Sequence, residues 1–164
     1  AGSDPLLWPR TSPSRTHIQA GYAPLDGQEL SRALYPDAWA AIQAGAVPVV
    51  TEAEWQTDPL KRGAWTYGNG STTFNLPDLR GEFLRGWDDS RGVDAGRGLG
   101  VPQAQSIEAH THLVALHRAD DFNFGVHPMG SDTTAGTLNS PSITSTGGAE
   151  TRPRNVALLA CIKY

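Results

Sequence analysis

His110 and His112, separated by a single residue, are the side chains in this 164-residue chain whose types and spacing best suit ion binding. On an extended backbone, residues i and i+2 project from the same face about 7 Å apart, so both imidazoles would aim at one point. Two ligands leave a transition-metal site incomplete. Three copies around a three-fold axis would bring six imidazole nitrogens together, an octahedral set suited to a divalent transition metal. The other reading of the same spacing is an exposed or core-edge pair that holds nothing.

Other candidates for chemistry are weaker. Asp88 and Asp89, with Asp94 and Glu82 nearby, could be read as carboxylates for glycoside hydrolysis. Adjacent aspartates on a turn point in different directions, so a solvated turn is expected. Gly96-Arg97-Gly98-Leu99-Gly100 is superficially like a phosphate loop, but no apolar strand precedes it and no helix opening on Lys-Ser/Thr follows. No serine, cysteine or histidine falls in a recognisable nucleophile setting. His17 is expected to be unremarkable, and His117 and His127 lack an i+2 partner. Asn69-Gly70-Ser71 fits a glycosylation sequon that matters only in a eukaryotic secretory route, so it is read as chance.

The lone cysteine, Cys161, excludes an intramolecular disulfide and a thiolate zinc cage. It lies in the apolar run Val156 to Ile162, where a buried, inert thiol is expected. Formal charge is −4 with no basic run, which argues against a nucleic-acid partner or an anionic-membrane surface. No stretch approaches the roughly 20 apolar residues of a membrane span, and no signal-peptide pattern opens the chain. Ala1-Gly2-Ser3 reads as a cloning remnant, and the chain is expected to begin partway through a longer protein.

Eighteen glycines and twelve prolines break the sequence often, while only 38% of it is hydrophobic. Long helices are therefore disfavoured, and the expected fold class is mainly β with short helices and much irregular structure. Residues 1–20, with three prolines in the first 16 positions, Trp8 and no period, read as a lead-in. A short helix is expected over Tyr35 to Ala44, with Ser31 capping the turn before it, Pro36 in its first turn and Gly45 ending it. Trp39, Ile42 and Tyr35 would form its buried stripe. Thr51-Glu52-Ala53-Glu54 is a capping box that introduces a second short helix, which Pro59 ends. The five tryptophans are expected to pack rather than bind. Leu76, Leu79, Phe83 and Trp87 are interrupted by proline and glycine, so tight turns and short strands are expected there, with Asp78 and Arg80 pairing locally or across chains.

The run Gly70-Ser71-Thr72-Thr73-Phe74-Asn75-Leu76-Pro77-Asp78-Leu79-Arg80-Gly81-Glu82-Phe83-Leu84-Arg85-Gly86 resembles the tail-collar domain of phage tail fibres, as does the ending from Thr146 to Leu158. Leu99-Gly100 through Gln103-Ala104-Gln105-Ser106, then His110-Thr111-His112, is similar to the stretch joining collar to tip in fibres of contractile-tailed phages and related tail-like bacteriocins. With Asp26 to Arg32, the resemblance covers most of residues 21–112 and 146–164. Two departures stand out. Gly45 to Tyr67 is longer than the family's usual connection, so an extra surface element or short helix is expected. A single His-x-His, where some relatives carry several, implies a short tip with one ion.

The resemblance implies an intertwined homotrimeric fibre tip in three parts: residues 1–20 leading in from a fibre shaft, residues 21–109 forming a collar-like domain to which 147–164 returns, and residues 110–146 forming a metal-pinned distal tip. His110 and His112 would bind iron, Fe(II), on the three-fold axis, one ion per trimer, with nickel or zinc as substitutes. Six protein ligands leave no position open to substrate, so such a site would be structural. Each ring's second N–H would need an acceptor, and the metal would leave as pH falls below about 6.5. The polar tip, with both ends anchored, would present His117, Arg118, Asp120, Asp121, Phe122, Phe124 and His127 to a receptor, the two phenylalanines serving equally as inter-chain packing.

The expected function is thus host-cell attachment by a non-enzymatic receptor-binding tip on a virion tail fibre or an extracellular tail-like bacteriocin particle. The ligand would be a bacterial surface glycan, lipopolysaccharide sugar first, or an outer-membrane protein. The alternatives are a polysaccharide-degrading tailspike domain and a purely structural fibre cap.

Overall fold

The computed structural model describes residues 4–109, 151 and 153–164. The chain divides into two compact units, Ala1–Ala104 with Arg154–Tyr164, and Gln105–Pro153. Regular structure among the described residues lies in the first unit. It comprises β1 (Pro9–Ser12), β2 (Tyr22–Pro24), β3 (Glu29–Ser31), α1 (Pro36–Gln43), α2 (Glu52–Thr57), a 3-10 turn at Pro59–Lys61, β4 (Thr73–Asn75) and β5 (Leu159–Lys163). Short strands, two short helices and long irregular connections agree with the fold class expected from composition.

The C-terminal strand organises the larger sheet. β5 lies between β1 and β2 and is antiparallel to both, with Pro9 opposite Ile162 on one side and Ala23 opposite Ile162 on the other. Residues alternate across a strand. Ile162 therefore enters the core with Ala160 and Tyr164 packed against it, while Cys161 is buried towards the other face. A second, two-stranded sheet pairs β3 with β4 and sets Leu30 opposite Phe74. Within the lead-in expected over residues 1–20 lies β1, a strand that the sequence did not single out. Its Pro9-Arg10-Thr11-Ser12 carries no apolar alternation, because the strand sits at an edge and is mostly exposed.

Local signals placed the helices. Pro36 occupies the first turn of α1, and Ser31 Oγ accepts from the Leu34 N–H at 3.4 Å before it. The helix ends where Gly45 takes φ +81°, with Gly45 N–H donating to Ile42 O and Ala46 N–H to Ala41 O at 3.1 Å each. That is a Schellman ending, and it needs the left-handed conformation glycine adopts cheaply. Ala38 and Ile42 are the buried positions of α1; Trp39 and Tyr35 are half-buried beside them. In α2 the capping box is complete: Glu54 N–H donates to Thr51 Oγ1 at 3.2 Å and Thr51 N–H to Glu54 Oε2 at 3.0 Å. The Thr51 hydroxyl, donating to Glu54 Oε2 at 2.7 Å, and then the Thr51 N–H hold the Glu54 carboxyl below its ordinary range.

The longer Gly45–Tyr67 connection contributes to the core rather than only to the surface. Trp55 from α2 and Trp65 from the segment after it are buried, and the Trp55 indole donates to Ala64 O at 3.1 Å. Trp65 and Trp39 flank Phe74, their ring centroids 6.5 and 6.1 Å from it. Three of the five tryptophans pack in this way. Trp8 and Trp87 depart from the expectation and stay half-exposed.

Phe74 has no exposed surface. Replacing it by alanine should cost about 3–5 kcal/mol through lost burial and the cavity left between two tryptophan rings. The check is a fall in the urea midpoint with an unchanged slope.

Candidate functional site

The side chains expected to bind metal, His110 and His112, and those expected to meet a receptor, His117, Arg118, Asp120, Asp121, Phe122, Phe124 and His127, lie outside the described residues. The described residues show the scaffold from which that segment departs and to which it returns. Among them, no group of three or more His, Cys, Asp and Glu side chains is placed to hold a metal. No helix among them is long and apolar enough to cross a membrane.

The scaffold centres on the resemblance-bearing run Gly70 to Gly86. Its first half is clamped by Arg32, which stacks over the Trp39 ring at 3.8 Å and donates to the carbonyls of Tyr67, Ser71 and Thr73 at 2.7, 3.0 and 2.8 Å. A planar guanidinium suits this task because its forked donors satisfy several carbonyls at once. Asn69 closes the same loop, its Oδ1 accepting from the N–H groups of Ser71, Thr72 and Thr73 at 3.0, 2.8 and 3.2 Å. Its amide nitrogen donates to Thr72 Oγ1 at 2.7 Å. The apparent sequon is thus a turn-forming asparagine whose amide is already engaged.

Behind this loop lies a buried polar group that sequence reasoning missed. Asn75 and Thr66 are both buried, and both donate to the Glu52 carboxylate from the first turn of α2. Thr66 and Asn75 also exchange backbone hydrogen bonds at 3.2 and 3.3 Å. Buried polar atoms hold a position well only when bonded, so this network fixes α2 against β4. The sequence signal was the capping box itself, which put an acidic side chain at the helix start without revealing what it would meet.

The second half of the run turns outward. Leu76 and Leu79 pack at the core, and Asp78 is paired with Arg80 by bonds of 2.8 and 2.6 Å, the local pairing that the sequence suggested. That pairing holds the Asp78 carboxyl below its usual range. From there to residue 109 the described residues form no strand. Asp88 instead ties its own turn, accepting from the N–H groups of Gly92, Val93 and Asp94 at 2.9, 2.8 and 3.0 Å. Asp94 draws in Arg97 at 2.7 Å, and the Trp87 indole donates to Arg97 O at 3.0 Å. The aspartates here are turn-closing acceptors, which matches the solvated-turn reading. Within the glycine-rich stretch Gly100 has a packing reason, since a Cβ on it would fall 2.7 Å from Pro48 Cγ, whereas a Cβ on Gly92 or Gly96 would meet nothing within 4 Å.

Along this irregular segment large apolar side chains face outward. Phe83, Leu84, Trp87, Val93 and Leu99 are exposed, as are Val156 and Leu158 on the returning C-terminal stretch, with Leu84 at 70% and Val156 at 85%. On the sheet, Arg10, His17, Gln19, Tyr22 and Cys161 are among the residues lining an open pocket of about 200 Å³. Burial raises the Cys161 thiol above its ordinary range, the inert state expected for it.

With this geometry in view, the likeness to known proteins can be placed. The chain is 43% identical over 68 residues to the "Probable tail fiber protein" of Escherichia phage Phieco32, covering 42% of this chain and 9% of that protein. It is 37% identical over 84 residues to the uncharacterized protein StfE of Escherichia coli K12, covering 43% of this chain and 47% of that one. A weaker likeness, 26% over 167 residues, reaches protein RhiB of Rhizobium leguminosarum bv. viciae and spans 91% of this chain and 67% of that protein. The chain therefore spans about half of StfE and about a tenth of the phage protein. No family model and no solved structure matches. These likenesses support a tail-fibre relationship for the matched part of the chain.

Three backbone donors hold the Asp88 carboxyl below its usual range, Gly92 foremost, then Asp94 and Val93. A depressed carboxyl stabilises the fold above its unfolded pKa of about 3.9 and loses that contribution as pH falls through the folded value. The Asp88 side-chain carbon should accordingly titrate below 3.9 by NMR, and Asp88→Ala should speed amide exchange at Gly92, Val93 and Asp94 at neutral pH.

Proposed function

We propose that this chain is the receptor-binding tip of a tail fibre, acting as a homotrimer that attaches a phage or phage-tail-like particle to a bacterial surface. The likeness to the phage tail fibre protein carries the general reading. The outward apolar row supports the trimer. Phe83, Leu84, Trp87, Val156 and Leu158 lie on stretches with almost no ladder bonds of their own, and such surface is expected to be covered by partners of the same kind in an intertwined assembly.

In that assembly His110 and His112 of three chains surround the axis. Their six imidazoles suit Fe(II), with nickel or zinc as substitutes, and the ion's part is to fasten three polar tips rather than to turn over a substrate. Residues 113–145 then carry recognition. A lipopolysaccharide sugar is the first ligand, an outer-membrane protein the second. Each contact is weak, and three-fold and multi-fibre avidity multiplies it.

Several measurements test this reading. Sedimentation should give a trimer, and elemental analysis about one transition metal per three chains; His110→Ala with His112→Ala should abolish the metal and lower the melting temperature. A metal-free wild type of equal stability would refute the axial site. The isolated trimer should also bind host cells and compete with whole particles for adsorption, with Phe122→Ala and Arg118→Ala each weakening it about tenfold or more, as expected for centrally placed contacts. A trimer that neither binds nor competes would be a fibre cap, and release of reducing ends from host polysaccharide would make it a tailspike.

A further inference from the structure

The register of the larger sheet sets how the chain carries load. β1 and β5 are antiparallel with Pro9 opposite Ile162 and Ser12 opposite Leu159. The chain enters β1 at its Pro9 end and enters β5, coming from the residue 105–153 unit, at its Leu159 end. These two entry points are at opposite ends of one ladder. A pull applied between the N-terminal side and the 105–153 unit therefore draws the strands past each other along their length, and all the ladder bonds stretch together. A pull between the two chain termini acts at the shared Pro9–Ile162 end and opens the bonds one at a time.

We infer that the β1–β5 pair is a shear clamp, a mechanical latch that joins the N-terminal side of the chain directly to the strand returning from the tip. This inference takes only the direction of load from the proposed receptor-binding role. Six further hydrogen bonds reinforce the latch. Leu7 N–H donates to Lys163 O at 2.9 Å and Lys163 N–H to Trp8 O at 3.1 Å, which extends the ladder beyond the strand end. Asp4, upstream of β1, accepts from Arg10 at 2.8 Å and from the Tyr22 hydroxyl of β2. The segment before β1 is thereby tied to the far strand of the sheet. On the second side of β5, Tyr164 N–H donates to Gly21 O at 3.0 Å and Leu25 N–H to Ala160 O at 2.8 Å, so β5 is gripped along both edges. An isolated hydrogen bond is worth little at equilibrium. Resistance to force is set by the unfolding rate, and loading the bonds in parallel slows it.

Single-molecule pulling on the folded full chain tests the clamp. One handle is fixed at the N-terminus; the other is placed at an azide-bearing residue substituted for Val156, exposed at 85%, or at the C-terminus after Tyr164. The Val156 geometry loads the ladder in shear and should rupture at a severalfold higher force than the C-terminal geometry. Equal forces in the two geometries, or a higher force from the C-terminus, would overturn the clamp. Asp4→Ala with Tyr22→Phe leaves the backbone ladder in place and should lower the shear force alone. A shear advantage retained in a trimer that fails to bind cells would sustain the clamp while removing the receptor reading.

Discussion

The central place of β5 is the constraint on which the larger sheet depends. A strand gripped on both edges by antiparallel neighbours satisfies its backbone groups completely, and its alternation sends Ile162, Ala160 and Tyr164 inward. Without it, β1 and β2 would each present an unpaired edge, and neither is long enough to stand alone. The C-terminal residues thus do more than end the chain. They close a sheet whose other members lie in the first 24 residues.

The smaller sheet and the helices are fastened by polar contacts around an aromatic centre. Phe74 is enclosed by Trp39 and Trp65, while Glu52, Thr66 and Asn75 fix α2 to β4 from behind. Arg32 lies across Trp39 and gathers the carbonyls of the loop before β4. Together these contacts hold rigid the first half of the run that resembles a tail collar. Its second half is tied back by Asp78 N–H to Arg62 O and Leu79 N–H to Leu25 O, and from Phe83 onward the large apolar side chains face outward. The change from ladder to turns coincides with the exposed apolar side chains on which the proposed trimer is argued.

Acidic residues illustrate how context assigns a role. Asp88, Asp89 and Asp94 in sequence resemble a carboxylate cluster, yet Asp88 is turned onto three backbone N–H groups and Asp94 onto Arg97. A carboxylate engaged in this way is an anchor for a loop. Glycines tell the same story: Gly100, in a stretch superficially like a phosphate loop, is there because backbone and Pro48 come too close for a Cβ.

The features legible in the residues alone were those made by neighbours in sequence. The Thr51–Glu54 capping box, the Pro36 start and Gly45 stop of α1, the Asp78–Arg80 pair and the burial of Cys161 each rest on a few adjacent residues or a short apolar run, so composition and spacing specify them. The His110/His112 spacing is a local signal of the same kind, but both residues lie outside the described part of the chain, and the metal proposed for them rests on that spacing and on the resemblance. Tertiary structure decided what pairs across distance: that Pro9–Ser12 is a strand at all, that it faces the C-terminal strand in shearing register, that Glu52 meets Asn75, and that Arg32 spans the loop before β4. An edge strand exposed on most of its length needs no apolar period, and a half-buried acid needs only a partner that folding delivers. Neither leaves a local mark, because the bonds that stabilise them join residues the sequence keeps far apart.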